Sequence, residues 1–187
     1  GKTFRGQALI LTPPVPQSLE LLNAGHVSLP SDIRRELQRI DYDPCLALLA
    51  VFAGASQIPA PGGLRFLEGP IAWIADNHQK GISPDVHTVT IHASPDHSRR
   101  HWRTNAIVVA QKILEAAAPW LHSEVLDWQL HRWLYSQPVA TYPEQALFFP
   151  GPPPLVFAGD AFGGPRVEGA ALSGYAAAQI MLAARDK

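Results

Sequence analysis

The sequence predicts an α/β (α+β) protein: a mixed, largely antiparallel sheet domain with helices, flanked at both chain ends by strand–helix pieces. Three observations carry this. The middle of the chain holds three apolar, partly alternating runs joined by Gly/Pro-rich or polar links with no helix between them, as antiparallel strands require. The front reads strand then short helix. The back reads strand, glycine turn, then a helix of small residues.

Taken in order, Gln7–Thr12 is an apolar run suited to a buried strand, closed by Pro13, Pro14 and Pro16. Gln17–Asn23 reads as a short helix stopped by Gly25, and Ser31 or Asp32 is positioned to cap a second helix over Asp32–Ile40. Pro44 opens the strand Cys45–Phe52. The link Ala53–Gly63 follows, then strands Ile71–Asp76 and His87–Ala93 around the loop Asn77–Asp85. From Ser94 or Asp96 to Ala118, apolar residues recur at helical spacing, and Pro119 is expected to end that helix. Val125–Tyr135 reads as an aromatic strand, Pro150–Pro154 as a connector, Leu155–Ala158 as a short buried strand and Val167–Arg185 as a helix. The domain boundaries expected from this are 1–24, 25–150 and 151–187.

Composition narrows the function. A hydrophobic fraction of 47% with 17% charged residues describes a chain with a core. A net charge of −1 offers no field for nucleic acid, and no apolar run is long enough to span a bilayer, so neither partner is expected. Cys45 is the only cysteine, which excludes an intrachain disulfide and a multi-thiolate metal site and fits a cytoplasmic setting. His97 and His101 share helical spacing, but there is no HExxH, and no metal is expected. Neither a GxSxG elbow nor a GxxxxGK[ST] loop is present.

The chemistry-bearing stretch is Leu155–Ala178. A strand ends in Gly159-Asp160, a turn with Gly163 and Gly164 follows, and the next helix carries Gly169, Ala170, Ala171, Ser173 and Gly174. Ligands of open α/β sheets bind at strand carboxyl ends, and the free N–H groups of a helix start suit a phosphate. A plain strand–turn–helix in which Asp160 caps a turn is the alternative. In the middle domain, His131, Trp133 and Tyr135 share one face of a strand and could wall a flat pocket, with Asn77 in reach. An ordinary aromatic face and an ordinary loop are the alternatives there.

The stretch GDAFGGPRVEGAALSGYAAA resembles the C-terminal flavin signature of flavin amine oxidases and their renalase-like relatives. QALILTPPVPQSLELL resembles the strand and helix with which the chain re-enters the FAD domain of those enzymes. DYDPCLALLAVF, IAWIADNHQK, TIHASPDHSRRHW and HRWLYSQP resemble successive substrate-domain segments of the bacterial renalase-like group. The resemblance implies a FAD/NAD(P)-binding Rossmann-like domain flanking a substrate domain, with FAD as cofactor. It implies that Asp160 binds the ribityl or pyrophosphate part, with Gly159 before it among the cofactor-binding residues, and that the backbone of Val167, Glu168, Gly169 and Ala170 lies near the flavin pyrimidine. Arg166 and Glu168 stand at that helix start, either as binding groups or as surface charges. The implied reaction is hydride transfer from an amine or a reduced nicotinamide-type substrate to the flavin's N5.

The family's GxGxxG fingerprint is absent from these residues, and Gly1 stands where a methionine would open a gene product. The expectation is therefore a fragment whose N-terminal FAD-binding segment is missing, with self-association through the apolar surface thereby exposed. The alternatives are a non-catalytic binding module or one half of a split enzyme.

Overall fold

A computed structural model of the chain describes residues 2–185. The chain divides into two compact units, Gly1–Tyr42 with Gln137–Lys187 (unit 1) and Asp43–Ser136 (unit 2). The divisions fall inside two long strands, β2 (Asp41–Phe52) and β6 (Val125–Ala140), which carry the chain out of unit 1 and back.

Unit 1 is built on a three-stranded sheet in the order β1 (Leu9–Leu11), β8 (Leu155–Phe157), β7 (Leu147–Phe149). β1 and β8 run parallel, and β7 is antiparallel to β8. β8 is the middle strand, and Leu155, Val156 and Phe157 are all buried, which is why this run is apolar without alternation. Helix α6 (Val167–Arg185) packs on it through Ala177, beside Val156 and Ala158. Helix α1 (Val15–Ala24) begins two residues earlier than the sequence indicated. Pro16 sits in its first turn, where no backbone N–H is needed, and the N–H of Val15 donates to Tyr42 Oη at 3.1 Å. Helix α2 (Ser31–Leu37) is preceded by Pro30 at its N-cap position, so neither Ser31 nor Asp32 caps it.

Unit 2 is a five-stranded sheet in the order β3 (Gly63–Arg65), β4 (Ile71–Asp76), β5 (His87–Ala93), β2, β6. The β3/β4, β4/β5 and β5/β2 pairs are antiparallel. Leu46, Leu48, Ala50 and Phe52 from β2 join Val89, Ile91 and Ala93 from β5 and Ile71 and Ile74 from β4 in one core. Helix α4 (Ala106–Leu121) covers that core with the stripe Val109, Ile113, Ala117 and Leu121, spaced by four. Burying such aliphatic side chains contributes roughly 1.5–3 kcal/mol each before the entropy of ordering them is counted.

Three expectations for unit 2 are corrected. The helix expected from Ser94 to Ala118 is two helices, α3 (Pro95–His101) and α4. Asn105 breaks it by capping α4, its Oδ1 accepting the N–H of Ile107 at 2.9 Å. The guanidinium of Arg132 takes up carbonyls freed at the break, Nε donating to Trp102 O at 3.1 Å and Nη2 to Thr104 O at 2.8 Å. Pro119 does not end α4 but lies in its last turn; the helix stops at His122, in the left-handed region with φ 48°. Pro44 lies within β2 rather than opening it, outside the β2/β5 ladder that runs from Ala47 to Phe52, so its missing N–H costs no ladder bond there. No helix among the described residues is long and apolar enough to cross a membrane.

Candidate functional site

The parallel pair β1/β8 delivers two chain ends side by side. Past Leu11 the chain turns at Thr12–Pro14; past Ala158 it turns at Gly159–Asp160. A cleft of about 600 Å³ opens there, lined by Thr12, Pro14, Gly159, Asp160, Arg166 and Val167 with Ala170 and Gly174 of α6. It lies at the carboxyl ends of parallel neighbours, where open sheets leave room for ligands. Of the residues singled out by sequence, Gly159, Asp160, Arg166, Val167 and Ala170 are gathered around this cleft. Glu168 is exposed and does not line it, and Gly169 is buried on the other side of its helix.

The turn is fixed by backbone geometry. Gly159 has φ +129°, a region side-chain-bearing residues rarely enter, and its carbonyl accepts from the N–H groups of Phe162 (3.0 Å) and Gly163 (3.2 Å). These bonds wind α5 (Asp160–Gly163), a single turn starting at Asp160. The α5 backbone then meets α6 directly: a Cβ added at Gly163 would stand 1.8 Å from Gly169 O. Glycine at both positions is what allows the two segments to touch, and it explains why Gly169 is not in the cleft.

Asp160 is half-buried, and burial raises its pKa above the ordinary 3.8 even though backbone hydrogen bonds at Ala161 and Asp160 pull the other way. Its ionisation is therefore opposed by the fold, a condition that a hydrogen-bond donor entering the cleft would relieve. The first N–H groups of α6 have no intrahelical partner and give that end a partial positive charge. Val167, the first residue of that helix, is 90% exposed and stands at the rim of the cleft. An acceptor carboxylate on one side and helix-start donors on the other suit a polyol-phosphate ligand, and that donor set fits the ribityl-phosphate part of a flavin nucleotide.

In unit 2, His131 and Trp133 stand on the same side of β6 with ring centroids 4.1 Å apart; Trp133 is 53% exposed, and Tyr135 is half-buried. The core-facing residues of β6 are Val125, Trp128 and Leu130. Asn77 is not brought to the His131–Trp133 pair. Its Nδ2 donates to Thr90 Oγ1 at 3.0 Å, and it lines a separate cleft of about 260 Å³ with Thr88, Asp127, Trp128 and Gln129.

Sequence reading missed Thr12 and Pro14 as cleft residues, because only the β1/β8 pairing brings them to Asp160. It also gave Ser173 no site role, although Ser173 is fully buried and its Oγ accepts the N–H of Gly159 at 2.8 Å.

Solved structures with the same fold include three with low identity. A protein assigned as protoporphyrinogen oxidase, from Exiguobacterium sp. 255-15, matches with TM-score 0.63 at 16% identity over 95% of this chain and 41% of its own. Putrescine oxidase bound to putrescine matches with TM-score 0.61 at 17% identity over 92% and 42%, and a Pyrococcus furiosus protein with TM-score 0.55 at 15% identity over 94% and 41%. The chain thus spans about two fifths of the length of these proteins. No curated protein matches it. The family model of flavin containing amine oxidoreductases matches residues 1–182, nearly the whole sequence, and on that match the chain belongs to this family.

Proposed function

We propose that unit 1 binds FAD and that the chain serves a flavin-dependent oxidation of an amine or a reduced nicotinamide-type substrate, in the manner of renalase-like enzymes. The observation that carries this reading is the cleft at the ends of β1 and β8, where Asp160, the Gly159 turn and the start of α6 meet. Asp160 accepts hydrogen bonds from the flavin's polyol or pyrophosphate region. The backbone from Val167 to Ala170 faces the electron-rich edge of the ring, and Arg166 contributes positive charge. Bound flavin supplies the two-electron acceptor; the protein's part is to bind, orient and exclude water. The exposed His131–Trp133 pair, with Tyr135, is assigned to the substrate wall. These 187 residues contain no GxGxxG, so in this reading the adenosine diphosphate end is held by a segment outside them.

The exposed apolar side chains of unit 1 (Leu9, Ile10, Leu172, Tyr175 and Leu182) fit a surface that is covered by such a segment or, without it, by a second copy. Sedimentation giving a clean monomer, with no apolar dye bound, would remove self-association from the proposal.

The test of the cofactor is the visible absorption spectrum of the purified native chain after FAD is added and the excess removed. A retained flavin band that Asp160→Ala abolishes is the expected result. A band indifferent to Asp160→Ala would overturn the assignment of this cleft.

A further inference from the structure

Helix α6 buries an i, i+4, i+8 stripe of small residues: Gly169, Ser173 and Ala177. Gly169 is small because Gly163 touches it, and Ala177 packs in the cluster of Val156 and Ala158. Ser173 is different. It carries a hydroxyl into a place with no solvent exposure, where alanine would fill nearly the same volume, and burying an unused hydroxyl is costly. Its Oγ accepts the N–H of Gly159 at 2.8 Å across fourteen residues of sequence.

That N–H is the one the turn cannot otherwise use. The parallel ladder of β8 with β1 ends with the N–H of Ala158 donating to Leu11 O at 3.0 Å. At Gly159 the backbone leaves the extended direction, with φ +129° and ψ −165°, and its N–H is taken by Ser173 Oγ. The next residue is Asp160. Ser173 thus holds the Ala158–Gly159 peptide, while the N–H groups of Phe162 and Gly163 hold the Gly159 carbonyl of the next one; with both peptides fixed, so is the direction in which the chain presents Asp160, a residue that lines the cleft.

We infer that Ser173 is a positioning residue for flavin binding: through its hydrogen bond to the Gly159 N–H it locks the turn that presents Asp160 to the nucleotide. The inference rests on the reading of the cleft as the flavin site and adds to it a residue that touches no ligand. With Ser173→Ala the Gly159 N–H loses its partner, the turn gains an alternative peptide orientation, and the binding-competent arrangement becomes a fraction of the population.

The test is a double-mutant cycle on the native full-length protein, with FAD affinity read by quenching of flavin fluorescence and the melting temperature of the flavin-free protein read in parallel. The variants are Ser173→Ala, Asp160→Asn and the pair. Ser173→Ala is expected to weaken FAD binding roughly tenfold, the scale of one lost hydrogen bond. In the Asp160→Asn background the same change is expected to weaken it less than about threefold, because the group it positions is already altered. Ser173→Cys, which keeps a weak acceptor of similar size, is expected to recover part of the affinity.

Affinity within twofold of the parent for Ser173→Ala, with Asp160→Asn still impaired, would overturn the positioning role and leave the cleft assignment standing. Full additivity of the two substitutions would do the same. Unchanged affinity in Asp160→Asn would overturn the cleft assignment itself, and the role of Ser173 with it. If Ser173→Ala and Ser173→Cys both fail to fold, Ser173 is a core residue and the inference falls.

Discussion

Two carboxylates close strands in this molecule, and the fold treats them oppositely. Asp76 ends β4 in unit 2 and is 3% exposed. Burial alone would raise its pKa. Ser56 Oγ donates to Oδ2 at 2.6 Å, Gln79 N–H donates to Oδ1 at 2.9 Å, and further hydrogen bonds from Gln79 and His78 help hold the pKa below the ordinary value. Asp160 follows β8 in unit 1, and there burial wins over two local backbone bonds. The first carboxylate is satisfied from within and serves architecture: it ties the chain at Ser56 and Gln79 to the end of the sheet. The second is half-buried at a cleft, and its two local backbone bonds do not offset the desolvation. The difference teaches that burial alone does not set the direction of a carboxylate's pKa; the hydrogen bonds that accompany it decide.

The comparison can be broken in several ways. The largest expected effect is on the frame around Asp160. Gly163→Ala forces a methyl against the Gly169 carbonyl and should cost about 3 kcal/mol or more, read by chemical denaturation, with loss of flavin binding. A tolerated alanine there would mean the α5/α6 contact is not what shapes the cleft. Next, Asp76→Ala strands the donors of Ser56 and Gln79 and should destabilise the protein by about 2–4 kcal/mol. Because the Asp76 pKa is lowered in the fold, its contribution is present above the ordinary carboxylate range and fades as pH falls through that range toward the folded value. The parent's advantage over the alanine variant should therefore shrink on acidification.

Smaller is the effect of Asp160 on the flavin-free protein. Its pKa is raised in the fold, so the folded state holds more protons between the ordinary and the raised value, and stability falls as pH rises through that window. Asp160→Asn should raise the melting temperature at neutral pH by about 1–3 °C, discounted for the solvent that reaches the group. That gain should vanish below the ordinary value of 3.8. A destabilised Asp160→Asn protein would place Asp160 with Asp76, among the structural carboxylates. The smallest effect is expected for Trp133→Ala, within about 0.5 kcal/mol, since Trp133 is 53% exposed; a large loss would show that it is packed rather than offered to a ligand.

Some of this was legible in the sequence, and the limits have physical causes. β4 and β5 occur over the spans that alternation and flanking turn residues indicate, because each has one face on the core. β3 and β7, at three residues each, are too short to show a period and exist through pairing with β4 and β8. The split between α3 and α4 was hidden because apolar spacing continues across it; only the caps at Ser94 and Asn105, seen with Arg132 from a distant strand, reveal two helices. In the candidate site, Gly159, Asp160 and the α6 start are contiguous and could be read together. Thr12 and Pro14 come from the far end of the chain, and the link from Ser173 to Gly159 is a fact of packing with no local signature.

β2 and β6, the strands by which the chain leaves unit 1 and returns, are hydrogen-bonded neighbours in one sheet. The entry and exit of residues 43–136 therefore lie side by side, as the two ends of a cassette must if it is to be exchanged without disturbing its host. A lineage could replace that cassette wholesale while the strand–turn–helix around Asp160 is inherited intact.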